Sequence, residues 1–392
     1  MKKFLFLLLI FMLALVAMFS FAEEELELYF ELPTQSAQSG ANGSAENSTA
    51  DGQEDLPFPG ATLPPQVEAD GSVVVTITAV GDVTIGRNVQ HKGTSIFEKE
   101  LKKQGGDINF IFRNVKDIFE DDHLTIANFE GVLADEYKIP SEKRNNSFLF
   151  LGPPSYTEAL SNNSVEAVTM ENNHVGDFGD DGKASTIKAM EDAGIVWSNK
   201  GNPGIFEVQG LKICMLSYQT LNQPFTSDEL KVMVDSDVKK AKQQNDLVIV
   251  SFHWGDELDY APKSNQIMLG RAAIDSGADL VLGHHSHRIN PIECYKGKYI
   301  VYSLANCSFA GNNKPSDMFT FIFQTRFRVL KGEIISNTFR IIPCRISSRK
   351  DYNDFAITPL QDQSNVTTVL NTLEKNGRKL DYAVKTYPLD WE

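Results

Sequence analysis

Short apolar runs recur along most of this 392-residue chain, and stretches with helical spacing separate them. The runs are rich in β-branched residues, as strands are, and they lie at residues 73–80, 165–170, 211–218, 247–253 and 280–283. Helices are predicted at 183–193 and at 265–276, and the second ends at Gly277, a typical helix terminator. Strands that alternate with helices predict an α/β protein.

The C-terminal part changes to a strand-rich pattern. Two long β-type runs, 319–330 and 333–342, are separated by Lys331-Gly332, which predicts a hairpin. One amphipathic helix is predicted at about 366–376. We expect the α/β domain to cover residues 71–346, and residues 347–392 to form an extension that packs on the domain or projects from it.

The N-terminus predicts export. Lys2 and Lys3 precede an apolar run from Phe4 to Phe21, and Ser20-Phe21-Ala22 offers small residues for a signal peptidase. The run is also about long enough to span a bilayer. Residues 1–22 are therefore predicted to be a signal peptide or an N-terminal membrane anchor. The protein is expected to be secreted or held at the outer face of a bacterial cell membrane.

Residues 23–70 contain eleven acidic residues, no Lys or Arg, and little that could form a core. They are predicted to be a disordered acidic linker. The formal net charge of −15 is mostly due to this linker, and only −6 remains for the residues after Asp70. Because no basic cluster is left, nucleic acid is not an expected partner. The four cysteines are too widely spaced for a disulfide scaffold or a cysteine metal site.

Polar residues follow several of the predicted strands, where open α/β sheets place their ligand sites. Asp82 and Glu130 each follow an apolar run, although either alone would more often be a turn or surface carboxylate. Asn173 can offer an amide oxygen to a metal, and its neighbour His174 can donate a proton to a leaving oxygen. Asp177 is placed to orient the His174 imidazole.

Histidines follow the last two strands. His253 ends one of them, where a lone histidine would usually be a core residue. The other runs into His284, His285 and His287, three of the seven histidines in the chain. Alternate residues of an extended segment project to one side, so His285 and His287 are expected to face the site and His284 to face away. Imidazoles mixed with carboxylates and an amide favour zinc, manganese or iron over magnesium.

The order Asp, acid, Asn-His, His, His-x-His resembles the ligand order of calcineurin-like metallophosphoesterases. Longer motifs resemble the CapA family of poly-γ-glutamate capsule synthesis proteins, over about residues 75–346. These motifs are Gly-Asp-Val-Thr-Ile-Gly-Arg, Asn-Phe-Glu, Asn-Asn-His-Val-Gly-Asp-Phe-Gly, His-Trp-Gly-Asp-Glu, Gly-Ala-Asp-Leu-Val-Leu-Gly-His-His-Ser-His and Tyr-Ser-Leu-Ala-Asn. The resemblance implies a metallophosphoesterase-like, four-layer α/β/β/α sandwich with two mixed sheets, located outside the cell.

The resemblance also implies roles for individual residues. The metal ligands would be Asp82, Glu130, Asn173, His253, His285 and His287. His174, Asp177 and Arg87 would be catalytic, and Glu257 and Asn306 would bind substrate. One or two divalent ions are implied. Thr84 departs from the pattern because it stands where metallophosphoesterases have the histidine of Asp-x-His, so one metal position is short of a ligand.

Three functions stay open at this stage. The first is metal-dependent hydrolysis or transfer at a phosphoester, or at an amide of an anionic polymer. The second is a non-enzymatic accessory role, in which the protein binds or guides a nascent γ-glutamyl polymer beside a membrane synthase; the departure at Thr84 favours it. The third is a phosphoesterase or cell-wall hydrolase with no capsule role.

Overall fold

The computed structural model describes residues 67–91, 93–145 and 148–391. The predicted signal or anchor, and the acidic linker up to residue 66, lie outside the described residues. Across the described ranges, no helix is both long and apolar enough to cross a membrane.

Seventeen strands are described: β1 (Val73–Thr84), β2 (Arg87–Asn88), β3 (Leu124–Phe129), β4 (Val132–Leu133), β5 (Phe150–Gly152), β6 (Ala167–Thr169), β7 (Val196–Ser198), β8 (Gly204–Val208), β9 (Leu211–Gln219), β10 (Leu247–His253), β11 (Leu280–His284), β12 (Ile292–Tyr295), β13 (Lys298–Val301), β14 (Asn306–Phe309), β15 (Phe319–Leu330), β16 (Glu333–Arg345) and β17 (Thr358–Pro359). The α-helices among the described residues are α1 (Ile96–Lys103), α2 (Lys116–Glu120), α3 (Glu158–Ser161), α4 (Gly179–Asp192), α5 (Ser227–Lys242), α6 (Ser264–Ser276) and α7 (Gln363–Gly377). Short 3-10 helices lie at Ile108–Ile111, Ser141–Lys143 and Pro154–Thr157. Every strand and helix predicted above is present, with ends shifted by a few residues.

Two mixed sheets carry the fold, as the resemblance implied. The first has the order β17-β16-β15-β1-β3-β6-β7, with β14 also paired to β1. Strands β3 and β14 run parallel to β1, whereas β15 is antiparallel to it. The second sheet has the order β12-β13-β11-β10-β9-β8, and its four central strands are parallel. Strands β2, β5 and β4 form a small third sheet.

Three apolar cores define four layers. Between the sheets, Ile77 and Ile126 of the first sheet pack with Ile249 and Leu282 of the second. The outer face of the first sheet and the outer face of the second are covered by separate sets of helical residues. These outer cores include Val168 with Phe119 and Met190 on the first sheet, and Val250 with Val234 and Leu269 on the second. The α/β/β/α sandwich is therefore confirmed, because alternate residues of each buried strand face different cores.

The predicted hairpin is also confirmed. Lys331 and Gly332 both have positive φ values, 53° and 81°, which suits the tight two-residue turn between β15 and β16. Beyond β16, the C-terminal residues pack on the domain. Helix α7 buries Val369 and Leu373 in the core between the sheets.

Candidate metal centre

The carboxyl ends of the two sheets meet, and this brings the predicted polar residues together. Asp82 lies near the end of β1, and Glu130 directly follows β3. From the other sheet, His253 is the last residue of β10, and His285 follows β11. The side chains of Asp82 and Glu130 are fully buried. Carboxylates and imidazoles from distant parts of the chain thus share one water-poor site.

Among the described residues, one group could hold a metal ion: Glu130, His285 and His287, whose ligand atoms all lie within 4.8 Å of one another. Both carboxylate oxygens of Glu130 are buried without a hydrogen-bond partner, and so are the Nδ1 atoms of His285 and His287. Buried polar atoms of this kind are costly unless something pairs with them. A divalent cation fits this donor set, since it would bind the carboxylate and the imidazoles together.

His253 lies between the Glu130 carboxylate and the Asn173 side chain. His253 Nε2 lies 3.5 Å from Glu130 Oε1 and 2.7 Å from the side-chain oxygen of Asn173. Two atoms bound to one ion at about 2.1 Å each lie roughly 3 to 4 Å apart. The ring centroid of His285 lies 4.7 Å from that of His253 and 6.0 Å from that of His287. We therefore call Glu130, Asn173, His253 and His285 the amide-side position.

His287 lies between Asp82 and the second oxygen of the Glu130 carboxylate. The Oδ2 atom of Asp82 is 3.0 Å from His287 Nδ1, although the two are not aligned as a hydrogen bond, and His287 Nδ1 is 3.9 Å from Glu130 Oε2. We call Asp82, Glu130 and His287 the aspartate-side position. It has fewer protein ligands than the amide-side position because Thr84 supplies none. The Thr84 hydroxyl donates to the carbonyl of Ser308 at 3.2 Å and accepts the N–H of Ala310 at 2.9 Å, so it binds the backbone around β14.

His174 stands at the edge of the cluster as a candidate proton donor. Its Nδ1 lies 2.7 Å from Asp177 Oδ2, and its Nε2 lies 4.0 Å from Glu130 Oε1. Burial opposes protonation of His174, but Asp177 and then Glu130 outweigh it and raise the pKa of the imidazole. Lys143 donates to Asp177 Oδ1 at 3.0 Å and to the carbonyl of Asn173 at 3.2 Å. We call His174 and Asp177 the dyad. It is fixed because one oxygen of Asp177 contacts His174 and the other accepts from Lys143.

The electrostatics of the cluster suit a cation. Burial, followed by the neighbouring Asp82 carboxylate, raises the pKa of Glu130 to about 7. Burial, followed by the charge of His287, lowers the pKa of His285 to about 4, so its imidazole is neutral and free to ligate at neutral pH. Burial also lowers the pKa of His253.

Within the cluster, His287 favours its protonated form and Asp82 its ionised form. Burial opposes protonation of His287, but Glu130 and Asp82 outweigh it and raise its pKa to about 9. Burial likewise opposes ionisation of Asp82, yet His284 and His287 hold its pKa well below the usual value. A metal at the aspartate-side position would replace the His287 proton, so binding should release a proton near neutral pH.

The bacterial capsule synthesis protein family PGA_cap matches residues 76–310, more than half of the chain and every residue of the cluster. The chain belongs to this family. A capsule biosynthesis protein CapA of Bacillus anthracis is 28% identical over 255 residues, which are 60% of this chain and 60% of that protein. A PGA biosynthesis protein CapA of Bacillus subtilis is 28% identical over 262 residues, 62% of this chain and 66% of that one.

A third relative is a probable polyglutamine synthesis accessory protein of Mycobacterium tuberculosis, 25% identical over 270 residues, 60% of this chain and 68% of that protein. The chain thus spans less than two thirds of the length of the two CapA relatives. For this PGA_cap family member, the similarity identifies the family and leaves substrate and partners to be proposed.

The remaining predicted residues of this PGA_cap protein lie around the cluster. Asn306 is buried and pairs in register with Asp82, and its side-chain oxygen has no hydrogen-bond partner. Glu257 is exposed, yet its charge helps to raise the pKa of His287. Arg87 lies on β2, where it donates to the hydroxyl of Tyr137 at 3.1 Å. All three assignments stay predictions.

The prediction that His284 faces away from the site is wrong. His284 is buried, and its Nδ1 lies 3.3 Å from Asp82 Oδ1. The prediction assumed an extended segment after β11. His285 and His287 instead have positive φ values of 92° and 53°, so the chain turns and all three histidines reach the cluster.

Three supporting residues were not identified from the sequence. Asn128 donates to Asp82 Oδ1 at 2.8 Å, and Asn172 donates to the carbonyl of Phe129 at 2.8 Å while accepting the N–H of His174 at 3.1 Å. Side chains two residues apart on a strand project to the same side, so the position of Asn128 two residues before Glu130 could have identified it. No local signal marks Lys143, which reaches Asp177 from a 3-10 helix 34 residues earlier.

Proposed function

We propose that this protein acts in the synthesis or export of poly-γ-glutamate or a related anionic surface polymer, through a site that holds one or two divalent metal ions. Family membership and the names of the two CapA relatives support the polymer. The observation that carries the metal is the buried group of Glu130, His285 and His287, with unpaired carboxylate oxygens and imidazole nitrogens.

The reaction that this site suits best is hydrolysis or transfer at a phosphoester, or at an amide of the polymer. A bound divalent ion would polarise the scissile group and lower the pKa of water in the site. An ion at the amide-side position would be held by Glu130, Asn173, His253 and His285. An ion at the aspartate-side position would be held by Asp82, Glu130 and His287.

His174 would act as the general acid. Asp177 occupies its Nδ1, which leaves Nε2 as the nitrogen that faces the cluster. Asp177 and then Glu130 raise the pKa of the imidazole, which favours the protonated form that a general acid needs. In hydrolysis, the P–O or C–N bond breaks, the hydroxyl of water joins the phosphorus or carbonyl carbon, and His174 gives its proton to the leaving oxygen or nitrogen. The other proton of water restores the imidazole.

The test combines metal content with turnover. We expect the purified full chain to bind Mn²⁺ or Zn²⁺, and to turn over a phosphoester or a γ-glutamyl polymer only when it is loaded. His285→Ala should lose metal and activity together, whereas His174→Ala should keep the metal and lose turnover. His91→Ala, at an exposed histidine outside the cluster, is the matched control. A protein that folds normally but binds no metal would contradict the proposal.

The structure also supports a second candidate, a non-enzymatic accessory protein that binds or guides the polymer. The supporting observation is Thr84, whose hydroxyl is engaged by the backbone near β14 and leaves the aspartate-side position short of a ligand. This candidate predicts that γ-glutamyl polymer binds in the presence of metal without being cut. Polymer binding that survives a chelator and His285→Ala would count against it. Turnover of cell-wall fragments alone would favour a wall hydrolase with no capsule role.

We further propose that the protein is exported and works at the outer face of the cell membrane. The support is the N-terminal sequence, with Lys2 and Lys3 before the apolar run at residues 4–21. The mass of the mature protein distinguishes a cleaved signal from a retained anchor. Protection of the domain from protease added to intact, wall-stripped cells would contradict export.

A further inference from the structure

The geometry points to His284 as a positioning residue, which orients the Asp82 carboxylate so that its second oxygen, Oδ2, serves the aspartate-side position. This inference rests on the metal site of the proposed function. It assigns to His284 a role that the ligand pattern Asp, acid, Asn-His, His, His-x-His does not contain.

The two oxygens of Asp82 have different surroundings. Oδ1 accepts a hydrogen bond from Asn128 Nδ2 at 2.8 Å and lies 3.3 Å from His284 Nδ1. Oδ2 lies 3.0 Å from His287 Nδ1 and accepts the backbone N–H of His285 at 3.3 Å. Asn128 belongs to the first sheet and His284 to the second. Oδ1 is thus hydrogen-bonded from the first sheet and approached by an imidazole of the second, whereas Oδ2 lies beside His287.

The His284 ring is buried and makes few polar contacts. Its side chain is 1% exposed, and neither ring nitrogen has an aligned hydrogen-bond partner in the part of the chain that the structure describes. Nδ1 approaches Asp82 Oδ1 at 3.3 Å, without the alignment of a hydrogen bond. A buried imidazole without any interaction would be costly, so its placement against a buried carboxylate is a specific contact.

The contact matters because the aspartate-side position is short of a ligand. Thr84 contributes nothing to it, so Asp82, Glu130 and His287 would be its whole protein contribution. When ligands are few, the orientation of each counts for more. Residues behind the ligands typically contribute a factor of about 10 to 100 in metal affinity.

His284 is separate from the ligand group itself. His284 Nδ1 lies 3.3 Å from Asp82 Oδ1, whereas the proposed ligand His287 has its Nδ1 3.0 Å from Oδ2, so the two imidazoles approach different oxygens of Asp82. These positions assign His284 the task of supporting a ligand, and they give a test that separates supporting from binding.

The test titrates Mn²⁺ into the full chain by calorimetry, with His284→Ala, His284→Asn and His284→Gln beside the parent. The amide nitrogen of Asn can occupy the place of imidazole Nδ1, whereas that of Gln lies one carbon further out. We expect His284→Ala to weaken at least one binding phase by about 10- to 100-fold or to remove it. Asn should restore most of the affinity, and Gln should not. Melting temperatures show whether each variant folds.

X-ray absorption on the loaded proteins counts the imidazoles bound to the metal. The parent and His284→Asn should show the same number, and a loss of one imidazole in the variant would overturn the positioning role. Parental affinity in His284→Ala, or equal losses in the Asn and Gln variants, would also overturn it. These outcomes leave the proposed function standing, because the parent still binds metal. A parent that binds no Mn²⁺ would instead refute the metal site, and the inference with it.

Discussion

Replacing Glu166 with Gln should make the protein more stable at alkaline pH and leave it nearly unchanged in acid. Glu166 lies just before β6, and its Oε2 accepts the backbone N–H of Thr125 at 2.8 Å. Burial raises the pKa of this carboxyl from 4.5 to about 7. The folded protein therefore keeps a proton that the unfolded chain releases near pH 4.5.

The sign and size of the effect follow from this difference. Between pH 4.5 and about 7 the unfolded state binds fewer protons, so the free energy of unfolding falls as pH rises. Each unit of pKa difference corresponds to about 1.4 kcal/mol, which gives a loss of about 3 kcal/mol above pH 7. Gln carries no charge and can still accept the N–H of Thr125. Glu166→Gln should therefore gain up to about 3 kcal/mol over the parent at pH 8.

Urea denaturation at several pH values between 4.5 and 8, followed by the fluorescence of buried Trp254, measures the effect. Taking the difference between variant and parent cancels the groups that both proteins share. Asp122 is an exception, because burial and then Glu166 raise its pKa, so its penalty should also ease. Glu207→Gln, at an exposed strand position, is the control. A difference between variant and parent that is the same at pH 5 and pH 8 would refute the reasoning.

Three further predictions concern the site and its supports. Asp177→Asn should lower the pKa of His174, because Asp177 is the main group that raises it; NMR titration of the imidazole measures this, and an unchanged pKa would contradict the dyad. Thr84→Val should cost about 1 to 3 kcal/mol in urea denaturation, since a buried donor and acceptor lose their partner, and metal content should stay at the parental value. A loss of metal in that variant would show that Thr84 is a ligand after all. Gly283→Ala should lower the melting temperature sharply, because the added Cβ would lie 2.1 Å from the carbonyl oxygen of Tyr302. Gly176→Ala, where a Cβ meets nothing within 4 Å, should melt close to the parent, and equal melting of both variants would argue against the clash.

Seven of the strands could be predicted from the sequence because each of them is an apolar run bounded by polar residues. Strand β10 shows this well, since its apolar residues end at His253, which is also the first residue that reaches the cluster. The hairpin could be predicted because Lys331-Gly332 suits a turn that requires positive φ. The prediction that the strands form two mixed sheets rested on the family resemblance, because apolar runs alone do not determine which strands pair.

The errors and omissions have a common physical cause. Periodicity describes regular backbone, and His284 was misplaced where the backbone stops being regular after β11. Lys143 was missed because its contact with Asp177 depends on tertiary packing between segments 34 residues apart. From the sequence, Thr84 could be predicted only to lack the metal-ligating imidazole that metallophosphoesterases have at this place. Its two hydrogen bonds to the chain beside β14 depend on a parallel pairing of β1 with a strand more than 220 residues later.

The family match ends at residue 310, but the folding unit does not. Strand β15 pairs with β1 from Val73 to Ala79, and Tyr387 is buried in the core between the sheets. Close to the C-terminus, Trp391 lies 3.9 Å from the guanidinium of Arg326 on β15. A fragment cut at the family boundary would contain every residue of the cluster and still expose one flank of β1 and the inter-sheet core. We expect such a fragment to aggregate, so the proposed metal site would depend on residues outside the region by which the family is recognised.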